Sequence, residues 1–281
     1  MEPILTEKLN PEMDPSLDLK VLCFGASLTE GYTKHGTEFK PYSGAMARVL
    51  GQKLNTAEGE RSGESKGNNV EDSDVDKHRN EEKQRQRWNV SIDTEGVSGE
   101  MVLEMEKRMR GIYADPTTIQ EPYDLLLFLG GTNDLGRMRL PDDIFADIEK
   151  IVAIPLNQGA RVVLLTIPEC AAKVGWLNER RDVLNGMMKK RAEEDENVFV
   201  FDLHKAIPYH SMDAVERKGI WDDGLHFTAK GYERLGTLLA KKVLDILGWK
   251  EIGVANEMKG DVIQDEGHGV SAVVEGCEVW Q

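Results

Sequence analysis

Ser27 stands in Phe24-Gly25-Ala26-Ser27-Leu28-Thr29-Glu30-Gly31, directly after a short apolar run. Small residues beside a serine at a strand end can present its hydroxyl next to backbone N–H groups. The same residues suit a turn that caps the next helix, so Ser27 taken alone reads as structure just as well. A serine hydroxyl is a weak nucleophile and needs a general base, normally an imidazole held by a carboxylate. Of the six histidines, His226 is the one with a carboxylate at a telling spacing, in Asp222-Asp223-Gly224-Leu225-His226-Phe227-Thr228. One turn of chain can bring Asp223 beside the imidazole three residues on. The plainer reading of that segment is a capping loop with a surface histidine. His78 lies in a polar stretch and His268 near the end of the sequence, while His35, His204 and His210 are expected to be structural.

Acyl transfer also needs hydrogen-bond donors where the oxyanion forms. In Leu129-Gly130-Gly131-Thr132-Asn133-Asp134 the glycines let the backbone bend sharply, so Asn133 can turn its amide inward. A glycine-rich turn with an Asx cap is the alternative. Phosphate binding is a weaker one, because no Gly-Lys-Ser/Thr follows. Gly99, in Gly96-Val97-Ser98-Gly99-Glu100, can add a backbone N–H at a helix start, with Gly96 as its competitor. Thr29 stands where the second glycine of a G-x-S-x-G elbow would be, so that motif is absent.

These residues need a frame. Five apolar runs read as buried parallel strands: 21–24, 90–92, 125–129, 162–167 and 198–201. Strands covered on both faces need not alternate in polarity. Helical spacing falls between the runs, at Met46/Val49/Leu50/Leu54, Val102/Met105/Met109, Ile144/Ile148/Ile151/Val152 and Val183/Leu184/Met187/Met188. The last pattern is the cleanest: Leu235, Leu238, Leu239, Val243, Ile246 and Leu247 follow a Thr228 cap. Strands alternating with helices predict an α/β/α sandwich around a five-stranded parallel sheet. In such sheets ligands bind beyond the carboxyl ends of the strands, where Ser27, Gly99 and Asn133 all fall.

The chain has 281 residues, with 35 Lys+Arg against 50 Asp+Glu, a formal net charge of −15. Residues 1–19, 56–87 and 251–281 hold −12 of that, so the charge belongs to appendages and says little about a substrate. Nucleic-acid binding would need a basic stripe, and none appears. The segment 56–87 has three apolar residues in 32 and reads as a solvated or disordered insertion. The expected organisation is therefore an N-terminal extension (1–19), one domain (20–250) interrupted at 56–87, and an acidic tail (251–281) in which Trp280 packs locally. No uncharged apolar stretch of about 18 residues is present, which argues against a membrane span. The first residues lack a basic and an apolar region of secretory type, and three cysteines make no disulfide framework, so a cytoplasmic setting is expected. No His/Cys spacing suggests a metal.

Taken together the four pieces resemble one family, the SGNH (GDSL-like) esterases and lipases. Residues 24–31 resemble its nucleophile block, Ser98-Gly99-Glu100 its glycine block, Gly130–Asp134 its asparagine block and Asp223-Gly224-Leu225-His226 its Asp-x-x-His block. The resemblance covers roughly residues 20–248 outside the insertion. It implies a flavodoxin-like three-layer fold and hydrolysis of esters or thioesters with no metal or cofactor. Ser27 would be the nucleophile, His226 the base and Asp223 its orienter, with Ser27 N–H, Gly99 N–H and the Asn133 amide as the oxyanion hole. One departure is Ala26, where the family's name-motif carries Asp; its absence removes a possible brace of the nucleophile loop.

Leu28, Tyr32, Leu135, Pro168 and Trp221 are candidate pocket residues, though ordinary core packing accounts for any one of them equally. The lack of a long apolar lid favours small esters over membrane lipid, and a tryptophan beside the Asp-His loop would also suit a sugar ring. Two other classes fit the same strand-end loops: a flavodoxin-like ligand-binding module, and a catalytically silent scaffold that recruits partners through its polar segments.

Overall fold

The computed structural model describes residues 17–56, 59–61 and 88–251. Side chains alternate between the two faces of a strand, so a run such as Leu125–Leu129 needs cover on both. It has that cover, since every residue of the run is buried. Five parallel strands form the sheet: β1 (Leu17–Gly25), β2 (Trp88–Gly96), β3 (Leu125–Leu129), β4 (Arg161–Leu165) and β5 (Val198–Phe201), in the spatial order β2-β1-β3-β4-β5. β1 and β2 are longer than their apolar cores, because Leu17–Gly25 pairs along its whole length with Trp88–Gly96.

Five long helices complete the layers: α1 (Tyr42–Asn55), α2 (Val102–Tyr113), α3 (Pro141–Asn157), α4 (Gly175–Glu194) and α5 (Ala229–Ile246). Odd residues of β1 (Val21, Cys23) and β3 (Leu125, Leu127, Leu129) pack with Met46 and Leu50 of α1 and Leu235 and Leu239 of α5. Even residues (Leu22, Phe24, Leu126, Phe128) pack with Val102, Met105, Ile144, Ile148, Leu184 and Met188 of the other three helices. The architecture is thus the expected three-layer sandwich. α5 begins at Thr228, whose side chain accepts from Gly231 N at 3.1 Å, and α3 begins at Pro141 with Asp142 and Asp143 in its first turn.

α4 departs from its sequence pattern. Leu184 and Met188 are buried as expected, but Val183 is exposed and the rest of the buried face is Arg181 and Asn185. Asn185 explains itself: Oδ1 accepts from Ile167 N at 2.7 Å and Nδ2 donates to Ile167 O at 3.0 Å. Both polar functions are satisfied, so a polar side chain tolerates the core and fixes the loop after β4.

The N-terminal extension up to residue 16, most of the 56–87 segment and the tail from residue 252, including Trp280, lie outside the described residues. Within the polar segment, Gly59–Arg61 forms a short strand antiparallel to Trp249–Glu251. Immediately before and after the segment, Asn55 Nδ2 donates to Trp88 O at 3.1 Å, and Trp88 N donates to Asn55 Oδ1 at 2.9 Å. No helix among the described residues is long and apolar enough to cross a membrane.

Candidate active site

The strand order 2-1-3-4-5 reverses direction between β1 and β3, and the crevice beyond that switch point is where open α/β sheets bind ligands. In register, Gly25 lies beside Gly96 on one side and Leu129 on the other, so three loops leave the sheet at one level. They carry Ser27, Gly99 and Asn133.

Ser27 opens a one-turn helix, Ser27–Glu30, and its Oγ lies 2.9 Å from His226 Nε2. His226 Nδ1 lies 2.8 Å from Asp223 Oδ2. With the ring proton on Nδ1, the imidazole donates to Asp223 and Nε2 accepts from the serine hydroxyl. The other carboxylate oxygen, Asp223 Oδ1, accepts from the backbone N–H of His226 at 2.8 Å and of Leu225 at 3.0 Å. Burial works to raise the Asp223 carboxyl; the N–H and ring of His226, then the Leu225 N–H, outweigh it and hold the group below its ordinary value.

The loop that presents His226 is tied at several points. Asp222 N donates to His226 O at 2.9 Å, and Trp221 bridges Phe227. Asp222 turns away from the ring: its Oδ2 accepts from Lys34 N at 2.6 Å, which separates the roles of the two adjacent aspartates. Tyr32 lays its ring against the imidazole, 4.4 Å between centroids.

Asn133 sits in the short helix Thr132–Gly136, entered through Gly131 at φ +111°, a backbone conformation that favours glycine. Its Nδ2 donates to Glu100 O at 2.9 Å, which spends one amide hydrogen and leaves the second. Gly99 is exposed, and neither its N–H nor that of Ser27 has an acceptor among the described residues. Gly96 has a different task. A Cβ there would come within 2.2 Å of Glu30 N, so its glycine serves the close approach of β2 to the Ser27–Glu30 turn.

Several residues that hold the site escaped sequence reasoning. Glu30 Oε2 accepts from Ser98 N at 3.0 Å and also from the Ser98 hydroxyl. Arg108 donates to Gly25 O and Glu95 O, both at 2.9 Å, and pairs with Glu100 at 2.5 Å while lying over the Phe24 ring. Asp134, fully buried, accepts from Val102 N at 3.0 Å and pairs with Arg139 at 2.6 Å. Glu30 and Asp134 lay inside the motif blocks, but nothing in a single sequence says what a carboxylate reaches. Arg108 carried no signal at all.

Of the candidate pocket residues, Leu135 and Pro168 line a cavity of about 350 Å³ that also includes Asn133 and Leu225. Tyr32 is on the imidazole. Leu28 and Trp221, 3% and 4% exposed, pack in the core and do not line this cavity. Trp221 packs on Tyr209 and Phe227 and offers no open face for a sugar ring. Truncating either would cost roughly 2–5 kcal/mol of stability, which makes them framework residues. Among the described residues, no group of three His, Cys, Asp or Glu side chains is placed to hold a metal.

Residues 23–234 match the family model described as GDSL-like lipase/acylhydrolase. No curated protein matches the chain. Solved structures of similar fold include a lipolytic protein of the G-D-S-L family from Veillonella parvula, at 17% identity and a TM-score of 0.53, covering 81% of this chain and 97% of that one. A lipase/acylhydrolase from Enterococcus faecalis gives 19% identity and a TM-score of 0.52 over 80% and 95%. A family 3 carbohydrate esterase from Clostridium thermocellum gives 17% and 0.54 over 82% and 97%. At these identities the solved structures speak for the fold, and the family model speaks for descent. The chain belongs to the GDSL-like lipase/acylhydrolase family and is a hydrolase of that kind.

Proposed function

We propose that the protein is a serine esterase that hydrolyses small carboxylic esters through an acyl-enzyme. The observation that carries this reading is the unbroken chain of contacts from Ser27 Oγ to His226 Nε2 at 2.9 Å and from His226 Nδ1 to Asp223 at 2.8 Å. In the first half-reaction His226 takes the Ser27 proton as Oγ bonds to the ester carbonyl carbon. The carbonyl oxygen becomes an oxyanion, held by Ser27 N–H, Gly99 N–H and the second hydrogen of the Asn133 amide. Protonated His226 gives its proton to the departing alkoxide, which leaves as alcohol. In the second half-reaction His226 deprotonates a water that attacks the acyl-enzyme. Collapse of that intermediate releases the acid and returns the proton to Ser27. Asp223 keeps the ring oriented throughout, and no cofactor enters the scheme.

The test is labelling with a fluorophosphonate, with the modified peptide mapped, beside turnover of a short-chain aryl ester. Modification at Ser27 and a loss of roughly 10³-fold or more in kcat for Ser27→Ala are expected. Equal turnover by the variant and the parent would end the reading. A ligand-binding module or a silent scaffold would leave Ser27 unlabelled.

A further inference from the structure

The cavity of about 350 Å³ beside Asn133 has one feature that an apolar acyl or alkyl group does not explain. Leu135, Ile167, Pro168, Leu177 and Leu225 make most of its wall, and Arg181 from α4 completes it with Arg137 at one side. Arg181 is 4% exposed. Its Nη1 donates to Asn178 Oδ1 at 2.9 Å and its Nη2 lies 3.3 Å from the Cys170 sulfur, a weak acceptor. Its Nε is buried with no hydrogen-bond partner at all among the described residues.

The other half-buried arginines are met either by backbone carbonyls, as Arg161, Arg180 and Arg217 are, or by carboxylates. Arg108, Arg139 and Arg191, with side chains 19%, 21% and 19% exposed, each touch at least one carboxylate. Arg181 is more deeply buried than any of them and meets none. A buried cation without a counter-charge is costly, and a buried N–H without an acceptor adds to that cost. Arg137, on the same wall, is exposed and also has no acid partner among the described residues. The cavity thus has a cationic residue set among apolar walls, with Asn133 also among its lining residues.

We propose that this cavity selects esters in which one arm is a short apolar chain ending in a carboxylate, whose charge is met by Arg181 with Arg137 in support. The inference rests on the esterase reading and deepens it, since it names the class of ester. Arg181 is a specificity residue here: the guanidinium fork suits a carboxylate in two-point contact, and the apolar wall suits the methylenes between that carboxylate and the ester.

Three matched pairs of substrates test it: the mono-p-nitrophenyl esters of succinate, glutarate and adipate against p-nitrophenyl butyrate, valerate and hexanoate, with uncatalysed hydrolysis subtracted. In at least one pair the parent enzyme is expected to favour the anionic ester by tenfold or more in kcat/KM, mostly through KM. Arg181→Met should bring that ratio near one, and Arg181→Lys should restore part of it. Using a ratio within each variant removes any loss of folded protein. A measurement on the parent alone guards against failure of the variants to fold: adipate should inhibit competitively at concentrations at least tenfold lower than hexanamide. A parent that favours the neutral ester in all three pairs, or a preference that survives in Arg181→Met, would overturn the inference while a labelled Ser27 leaves the esterase reading intact. No turnover of any of the six, with Ser27 unlabelled, would overturn both.

Discussion

The carboxylate of Glu30 reaches across from the Ser27–Glu30 turn to the loop after β2, where Ser98 gives it both its backbone N–H, at 3.0 Å, and its hydroxyl. One side chain, three residues after Ser27, therefore sets where Gly99 stands relative to the serine. Two charge-assisted hydrogen bonds at a partly exposed site are a modest contribution to stability but a direct control on geometry.

Glu30→Ala should then separate the two effects. Its melting temperature is expected within about 4 °C of the parent. Its kcat should fall by roughly tenfold or more, because an oxyanion donor misplaced by a fraction of an ångström loses much of its value. Glu30→Gln keeps an acceptor and should retain most of the activity. Steady-state kinetics beside a thermal melt decide it; equal kcat in parent and Glu30→Ala would show that the Ser98–Gly99 loop holds itself.

Asn133 is expected to act only when charge develops on the carbonyl oxygen. Asn133→Ala should lower kcat by about 10²–10³-fold with KM little changed. If KM rises while kcat holds, the amide is a binding group. The variant also loses the contact with Glu100 O, so a thermal melt belongs with the kinetics.

For Asp223 the sign of the linkage is fixed by its depressed value. A carboxyl that ionises more readily in the folded than in the unfolded chain stabilises the fold above its ordinary value, 3.8. That contribution is lost as pH falls through the depressed folded value. The stability gap between parent and Asp223→Asn should therefore be constant above about pH 5 and should close below 3.8, which urea midpoints across pH will reveal. At neutral pH the same variant should lose at least about 10²-fold in kcat, since an amide favours the wrong imidazole tautomer. A gap that widens on acidification would contradict the depressed value.

The layers of this fold were legible because burial on both faces leaves a local mark. Leu125–Leu129 and Val162–Leu165 are apolar without alternation, a pattern that a doubly covered strand produces and that their short length separates from a buried helix. Ser27, His226 and Asn133 stood out as candidates because each lies at a strand end or before a capped helix, and the Ser27–His226 contact is the part of that expectation visible in the structure. Arg181 and Asn185 were hidden by the opposite logic. On α4 they sit at polar positions of a helix whose apolar residues seemed to define its inner face, and only their partners show why they turn inward. Trp221 misled for a related reason: nearness in sequence to His226 does not fix which way an indole points, and packing on Phe227 turned it into the core.

The amide of Asn55 imitates one rung of a strand ladder, giving and receiving a bond with the backbone of Trp88. That rung draws the chain together at the neck of residues 57–87, so the body of the enzyme is already closed where the excursion begins. Closure cost grows only with the logarithm of length, and trimming those 31 residues to about eight changes it by about 1.2 kcal/mol in favour of the fold. The short strand Gly59–Arg61 is what such a trimmed protein forfeits. Lengthening, shortening or exchanging the sequence at this neck is therefore expected to leave the position of Ser27 unchanged, and a trimmed enzyme that melts with the parent and keeps its turnover would display that independence.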